Sequence, residues 1–331
     1  MKVLFVGPGV RGRYGKFYYS MDKKLRNGFA RAGHNCLFMS DRDVATIAPG
    51  MRMFGRSFAN SKFLELVRSF QPDFVVLFLA HIISRPALEQ AKQAVPGLRV
   101  ANVECDLMNS DERINRHANF SGVVDATFVT SGGDPLGQLR SLHRRVSYIP
   151  NPCDFSVDDV CSHDEADHAY DVTYVSSLQP SSGRWDLFNA LESELPELRF
   201  GRFGIDKRLF GTAYFSVLAK TRATLNWSER NDVPFYASDR VAQLFGCGTC
   251  VCLDKRFGYE KFLTSDEAIF FESQNDLKTA LQSALAEEHW RQIARNGRQA
   301  YHRLFNETRV ADYILKYTSE EDVSAYEWHD I

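Results

Sequence analysis

The stretch Ser238-Asp-Arg-Val-Ala-Gln-Leu-Phe-Gly-Cys-Gly-Thr-Cys-Val-Cys-Leu-Asp254 reads as a short helix feeding a buried strand. Ser238 is a residue type favoured at a helix N-cap, and Asp239 puts negative charge in the first turn, where the helix dipole favours it. Val241, Leu244 and Phe245 recur at i, i+3 and i+4, so one face packs inward. Arg240 and Gln243, three apart, share another face. Gly246 and Gly248 stop the helix, and residues 249–253 form an apolar strand. A guanidinium beside the unpaired N–H groups of a helix start suits an anion, and a phosphate is its natural guest. The alternative is a capped surface helix whose arginine is merely solvated.

Outward from this stretch, the second half alternates strand and helix. A strand at 171–175 leads into Ser176-Ser177-Leu-Gln-Pro-Ser-Ser-Gly-Arg184, and a helix follows at 185–194. A Ser/Gly loop ending in arginine at a helix start can wrap a diphosphate, although plain linkers have the same composition. Strands at 198–203 and 223–227 come next, with Asn226 at the carboxyl end of the latter. In a parallel sheet Arg184, Asn226 and Arg240 fall on one edge, and Ser177 of the same loop is a further candidate for the diphosphate. Cys247-Gly-Thr-Cys250 closes a helix and opens a strand, the reverse of a redox CxxC. With no second CxxC it does not make a zinc site, and no metal is expected. Strand 268–271 and helices at 276–287, 290–305 and 308–317 follow, then an acidic tail in which Tyr326 and Trp328 suggest docking.

The first half follows the same plan. Strand 2–6 runs into Gly7-Pro-Gly9-Val-Arg11-Gly12, which matches G-x-G-x-x-G letter for letter. Four residues, Arg13 to Lys16, then precede any helix. The spacing therefore fits a basic Gly-rich loop over a cleft better than a tight dinucleotide turn. Asp41, ending the strand at 35–40, is the acid that an NAD(P) ribose would need. Residues 41–60 lack clear periodicity and read as a long loop. The continuous apolar run 74–79 is a strand of the buried parallel type. His81 lies just past its carboxyl end, where ligands collect in open α/β sheets. Asp106, beyond strand 99–102, is a candidate general base. Either residue can equally be satisfied by its own loop. Strands 126–130 and 146–149 complete this half, and the repeated strand–helix alternation predicts a doubly wound parallel sheet.

The 331 residues exceed what one core usually holds, so two domains are expected, with the break at the stiff Pro150-Asn-Pro-Cys-Asp154. The boundaries read as 1–152, 153–315 and a tail at 316–331 that can dock back on the first domain. A net charge of −2 does not suit a nucleic-acid binder. No apolar run reaches the roughly 20 residues that span a bilayer. Met1–Val6 is a strand rather than a signal sequence. Seven cysteines, mostly in apolar settings, fit a reducing, cytoplasmic environment.

The segment Arg240-Val-Ala-Gln-Leu-Phe-Gly-Cys-Gly-Thr249, with Phe270, Leu277, Ile293-Ala-Arg-Asn-Gly-Arg298 and Arg309, resembles the C-terminal half of GT-B glycosyltransferases. The spore-maturation-protein-like group is the nearest type. The resemblance covers about residues 171–316 and implies two Rossmann-like domains facing a cleft. One would bind a nucleotide-sugar as co-substrate, the other a glycan or other hydroxyl acceptor, with neither metal nor cofactor. It places Arg184 and Arg240 on the donor diphosphate. Gln243 stands where the family has a ribose-binding glutamate, and an amide cannot form the charge-assisted bond of a carboxylate. Two rivals remain: an NAD(P)-dependent oxidoreductase using Gly7–Gly12, and a non-catalytic nucleotide- or sugar-binding protein on the same fold.

Overall fold

The computed structural model describes residues 1–9, 15–48, 54–108, 111–176, 185–204, 209–228, 230–236 and 238–331. Two compact units emerge: residues 1–152 with 307–331, and residues 153–306.

The first unit is built from β1 (Lys2–Gly7), α1 (Met21–Arg31), β2 (Asn35–Ser40), α2 (Asp41–Thr46), α3 (Gly55–Phe70), β3 (Phe74–Phe78), α4 (Arg85–Ala94), β4 (Arg99–Glu104), α5 (Asp111–Ala118), β5 (Ala126–Val129), α6 (Gly133–Leu142) and β6 (Val146–Tyr148). Its sheet has the order β2-β1-β3-β4-β5-β6 and every pair is parallel. Register is set by pairs such as Val3 with Phe74 and Val75 with Val100. Both faces are covered, which is why β1 and β3 are apolar at nearly every position. Leu4, Val6, Val75, Leu77 and Val100 pack under Phe63 and Val67 of α3 and Leu88 of α4.

The second unit contains β7 (Tyr170–Val175), α7 (Asp186–Glu194), β8 (Phe200–Phe203), α8 (Thr212–Ala219), β9 (Thr221–Asn226), α9 (Arg240–Gly246), β10 (Cys250–Asp254), β11 (Ile269–Phe271), α10 (Gln274–Ala286) and α11 (His289–Leu304). The order is β11-β10-β9-β7-β8, again all parallel. Val172, Tyr174, Leu225 and Cys252 meet Trp185, Phe188, Leu281 and Trp290 in one core. Cys250 and Cys252 are small apolar members of it, and burial pushes the Cys250 thiol up to about 12. That thiol is no nucleophile at neutral pH.

The chain then returns to the first unit. The final helix, α12 (Glu307–Thr318), packs on α1, so the second unit stops at Asn306 where the sequence boundary stood at 315. Gly28 makes the approach possible: a Cβ there would overlap the Glu307 carbonyl. Arg31 pairs with Glu307 at 2.5 Å, Arg99 Nη1 donates to the Thr318 carbonyl at 3.0 Å, and the Tyr313 and Ser147 hydroxyls meet at 2.5 Å. The acidic tail closes over this helix, with Trp328 fully buried beside Tyr313.

The sequence differs from the structure in three local places. Residues 41–60 hold α2 and the first turn of α3 rather than a loop alone. Ser40 Oγ caps α2 by accepting the Asp43 N–H at 3.0 Å, and α3 starts at Gly55, where a Cβ would lie 2.5 Å from the Ala45 carbonyl. α5 went unread. Ser238 does not cap α9: Asp239 is already helical at φ −48°, ψ −23°, and the Ser238 hydroxyl is a buried group without a hydrogen-bond partner.

Gly28→Ala is expected to loosen α12 from α1, at a cost of about 1–3 kcal/mol for an overpacked contact. Thermal unfolding and proteolysis of the α12–tail segment measure it. An unchanged melting temperature and an unchanged cleavage rate contradict the close approach.

Candidate functional site

In an open parallel sheet the ligand crevice lies outside the carboxyl ends of the strands, where the strand order reverses. The second unit reverses between β7 and β9, and the first between β1 and β3.

At the second unit's reversal stands Arg240. Its Nη1 donates to the Val175 carbonyl at 2.6 Å, its Nη2 to the Trp227 carbonyl at 2.8 Å, and its Nε to Asn226 Oδ1 at 3.4 Å. One guanidinium therefore laces the ends of the two central strands. Tyr174 supports it from below, with its ring 5.4 Å from the guanidinium carbon and its hydroxyl donating to the same Trp227 carbonyl at 2.9 Å. A guanidinium has five N–H donors, so three such bonds leave capacity and the full positive charge at the edge.

Asn226 is wholly buried beside it, and its Nδ2 has no partner; the buried hydroxyls of Ser228 and Ser238 are in the same condition. Buried donors are nearly always satisfied, so such a concentration marks a place that a ligand can complete. Gln243 is buried and donates its amide to Asp239 Oδ2 at 3.1 Å. The carboxylate on this face is thus Asp239, one turn before the position where the resemblance seeks a glutamate. Ser177 and Arg184 lie outside the described residues.

At the first unit's reversal, Gly9 follows β1, packed so closely on α2 that a Cβ would overlap Ser40 and Asp43. Arg11 and Gly12 lie outside the described residues. Asp41 is not placed for a ribose. It is fully buried, and its Oδ2 accepts the Ile82 N–H at 3.1 Å, so it staples the loop after β3.

That loop carries His81. It is preceded by Leu79 at φ 48°, a left-handed conformation unusual for leucine and of the kind that collects at functional sites. His81 Nε2 lies 3.4 Å from Glu104 Oε2, and His117 Nε2 approaches the same oxygen at 3.6 Å. Asn102 Nδ2 donates to His117 Nδ1 at 2.9 Å, so the His117 proton sits on Nε2 and faces the carboxylate. Asp106 is exposed; its backbone N–H, rather than its carboxylate, joins the cluster by donating to Glu104 Oε1 at 3.1 Å.

Burial alone would raise the Glu104 pKa. The bonds from His117, His81 and the Asp106 N–H outweigh it and hold the carboxyl at about 2. His81 is the partly exposed member and lines a cleft of about 540 Å³ together with Arg56, Arg85, Asn119 and Phe120. The sequence reading named Asp106 and missed Glu104, which ends an apolar strand where a carboxylate has no reason to sit unless it is paired.

Residues 184–316 match the family described as glycosyl transferase-like. This stretch of the chain is glycosyl transferase-like. The match starts two residues before α7 and runs through α9, whose arginine holds the sheet ends. No relative among the curated proteins matches the sequence. Among solved structures, the domain and its companion unit together are similar to sucrose-phosphate synthase from Thermosynechococcus elongatus, with TM-score 0.59, 14% identity and coverage of 97% of this chain and 98% of that one. Anabaena HepE in complex with UDP and glucose is similar at TM-score 0.59 and 13% identity, over 97% and 100% of the two chains. AviGT4, a glycosyltransferase of avilamycin A biosynthesis, gives 0.58 and 12% over 97% of each. Identities this low speak to the fold, which is GT-B: two α/β units, each on a parallel sheet.

Acid should unfold the first unit through this cluster. His143, next to His117, is held down to about 4 by burial and then by His117, against an ordinary 6.5; Glu104 is held at about 2 against 4.5. In both cases the unfolded chain takes up the proton first. Stability therefore falls from about pH 6.5 to 4 through His143, and from about 4.5 toward 2 through Glu104. Urea midpoints between pH 7 and 3 should decline, and Glu104→Gln should flatten the lower part. A flat wild-type profile would contradict the pairing.

Proposed function

We propose that the protein transfers a sugar from a nucleotide-sugar to an acceptor hydroxyl, the second unit binding the donor and the first supplying the acceptor chemistry. The observation that carries this reading is Arg240 at the β7–β9 reversal, with the unpartnered Asn226 amide beside it. Its charge and remaining N–H groups meet the donor diphosphate. Asn226 and the Ser228 and Ser238 hydroxyls complete their hydrogen bonds on the donor, and Ser177 and Arg184 are the further residues that the sequence assigns to its diphosphate. Asp239, fixed by Gln243, accepts from the donor ribose and restores the charge that Gln243 lacks. HepE, solved with UDP and glucose, supports a uridine nucleotide as the first donor to try.

As the sugar leaves, negative charge grows on the departing nucleotide. Fixed cations aimed at that charge lower the barrier, so the transfer itself needs no metal. On the first unit, His81 takes the acceptor proton at the cleft it lines, with Glu104 stabilising the imidazolium that forms. Gly9 lies just after β1 at the same sheet reversal, and the Asp106 backbone joins the cluster. Among the described residues no helix is long and apolar enough to cross a membrane, and a cytoplasmic location fits this reading.

The test is nucleotide release from a panel of UDP-, GDP-, CMP- and dTDP-sugars with mixed hydroxyl acceptors. One donor should be turned over. Arg240→Ala should then lower kcat/KM by roughly 10- to 150-fold, the loss of a charge-assisted contact of about 1.5–3 kcal/mol. Arg240→Lys should recover part of it only, because it keeps the charge and loses the fork. Donor binding without turnover would favour the non-catalytic reading, and full activity in Arg240→Ala would remove the assignment.

A further inference from the structure

The sequence Cys161-Ser162-His163-Asp164 forms a short 3-10 turn at the opposite end of the second unit's sheet. Ser162 Oγ donates to the carbonyl of Thr221, the first residue of β9, whereas Asn226 ends that strand. At about 3.3 Å per residue the two positions are roughly 16 Å apart. Nothing in the transfer chemistry uses this turn.

Its three side chains converge. Cys161 Sγ lies 3.4 Å from His163 Nε2 and 3.0 Å from Asp164 Oδ2, and His163 Nε2 lies 3.7 Å from Asp164 Oδ1. A tetrahedral zinc ion, with bonds of about 2.3 Å to sulfur and about 2.0–2.1 Å to nitrogen or oxygen, separates its ligands by roughly 3.3–3.5 Å. The contacts lie within a few tenths of an ångström of that range, those of the carboxylate made through its two oxygens, and with one ligand atom per residue all three fall within 4.8 Å of one another.

The ring is also oriented as a ligand. His163 Nδ1 is 3.2 Å from the Gly248 carbonyl, which can only accept. The proton is therefore on Nδ1, and the Nε2 lone pair faces the thiol and the carboxylate, as a backbone carbonyl fixes metal-bound histidines elsewhere. Gly248, at φ 66°, is needed for this approach, since a Cβ there would overlap the ring. The turn is held independently: Ser162 N–H donates to the Cys247 carbonyl at 2.9 Å and His163 N–H to that of Gly248 at 3.2 Å. The donors are thus set in place before any ion arrives. Arg295 lies 3.5 Å from Asp164 Oδ1 and Arg298 is beside Cys161. A thiolate and a carboxylate balance a divalent charge, so the arginines then border a neutral centre.

We propose that Cys161 Sγ, His163 Nε2 and the Asp164 carboxylate bind a zinc-type divalent cation, with water as the fourth ligand. The Cys161 thiol gives its proton to solvent as the S–metal bond forms. The ion pins the start of the second unit to the turn before β10 and is structural, so it does not compete with a metal-independent transfer.

Titration of the full chain with Co²⁺ tests this, because a thiolate ligand adds a sulfur-to-cobalt charge-transfer band in the near ultraviolet that histidines and carboxylates lack. The wild type should show the band at one equivalent, Zn²⁺ should displace it, and Zn²⁺ should raise the melting temperature. Cys161→Ser should lose both band and thermal shift while melting like the metal-free wild type. Asp164→Asn, at an exposed position that folding tolerates, should weaken affinity about tenfold or more. No band in the wild type, or a band undiminished in Cys161→Ser, overturns the site.

Discussion

The contact on which the second unit's chemistry depends is the Arg240 guanidinium lying across the carboxyl ends of β7 and β9. Parallel strands end in carbonyls with no N–H further along the strand to donate to them. At a point of reversal, two such ends diverge and leave a gap. One planar cation closes it by donating to both sides. Hydrogen bonds from a charged donor are worth about 1.5–3 kcal/mol each, enough to offset the loss of water around a half-buried arginine. The same geometry leaves a positive charge and spare N–H groups where an anion approaches. In the proposed function, holding the scaffold and attracting the donor are thus one interaction.

The first unit uses the opposite sign in the same place. Glu104 is a buried anion, which burial alone would neutralise. Three donors, from His117, His81 and the Asp106 backbone, reverse that outcome. A buried carboxylate kept ionised accepts from the imidazoles beside it, and His81 is the one that reaches a cleft. Asn102 completes the arrangement by choosing the His117 tautomer. Removing Glu104 leaves the buried His117 Nε2 without its acceptor, so the members of the cluster depend on one another.

The crossing of the last helix back to the first unit rests on small residues at the contact together with the Arg31–Glu307 pair. Gly28 lets α1 and α12 touch backbone to backbone, and Tyr313, packed with Tyr326 and Trp328, meets Phe128 of β5 and Ser147 of β6. An acidic tail that composition alone would leave in solvent is anchored by its two aromatic residues.

Much of this was legible in the residues themselves. Apolar runs such as 74–78 and 250–253 can only be strands covered on both faces, and their alternation with amphipathic helices leaves a doubly wound parallel sheet as the solution. The spacing of Arg240 from Asn226 through one strand end and one helix start already put both on one edge. Tertiary structure alone decided which polar groups meet. Asp239, not Ser238, precedes α9, because the backbone turned one residue early. Gln243 spends its amide on Asp239, and His81 finds Glu104 rather than Asp106, because strand register, not sequence distance, sets those approaches. α12 left the unit that its sequence neighbours suggested, because its apolar stripe fits a surface formed by residues almost the whole chain away. Periodicity encodes which face is buried; it does not encode against what.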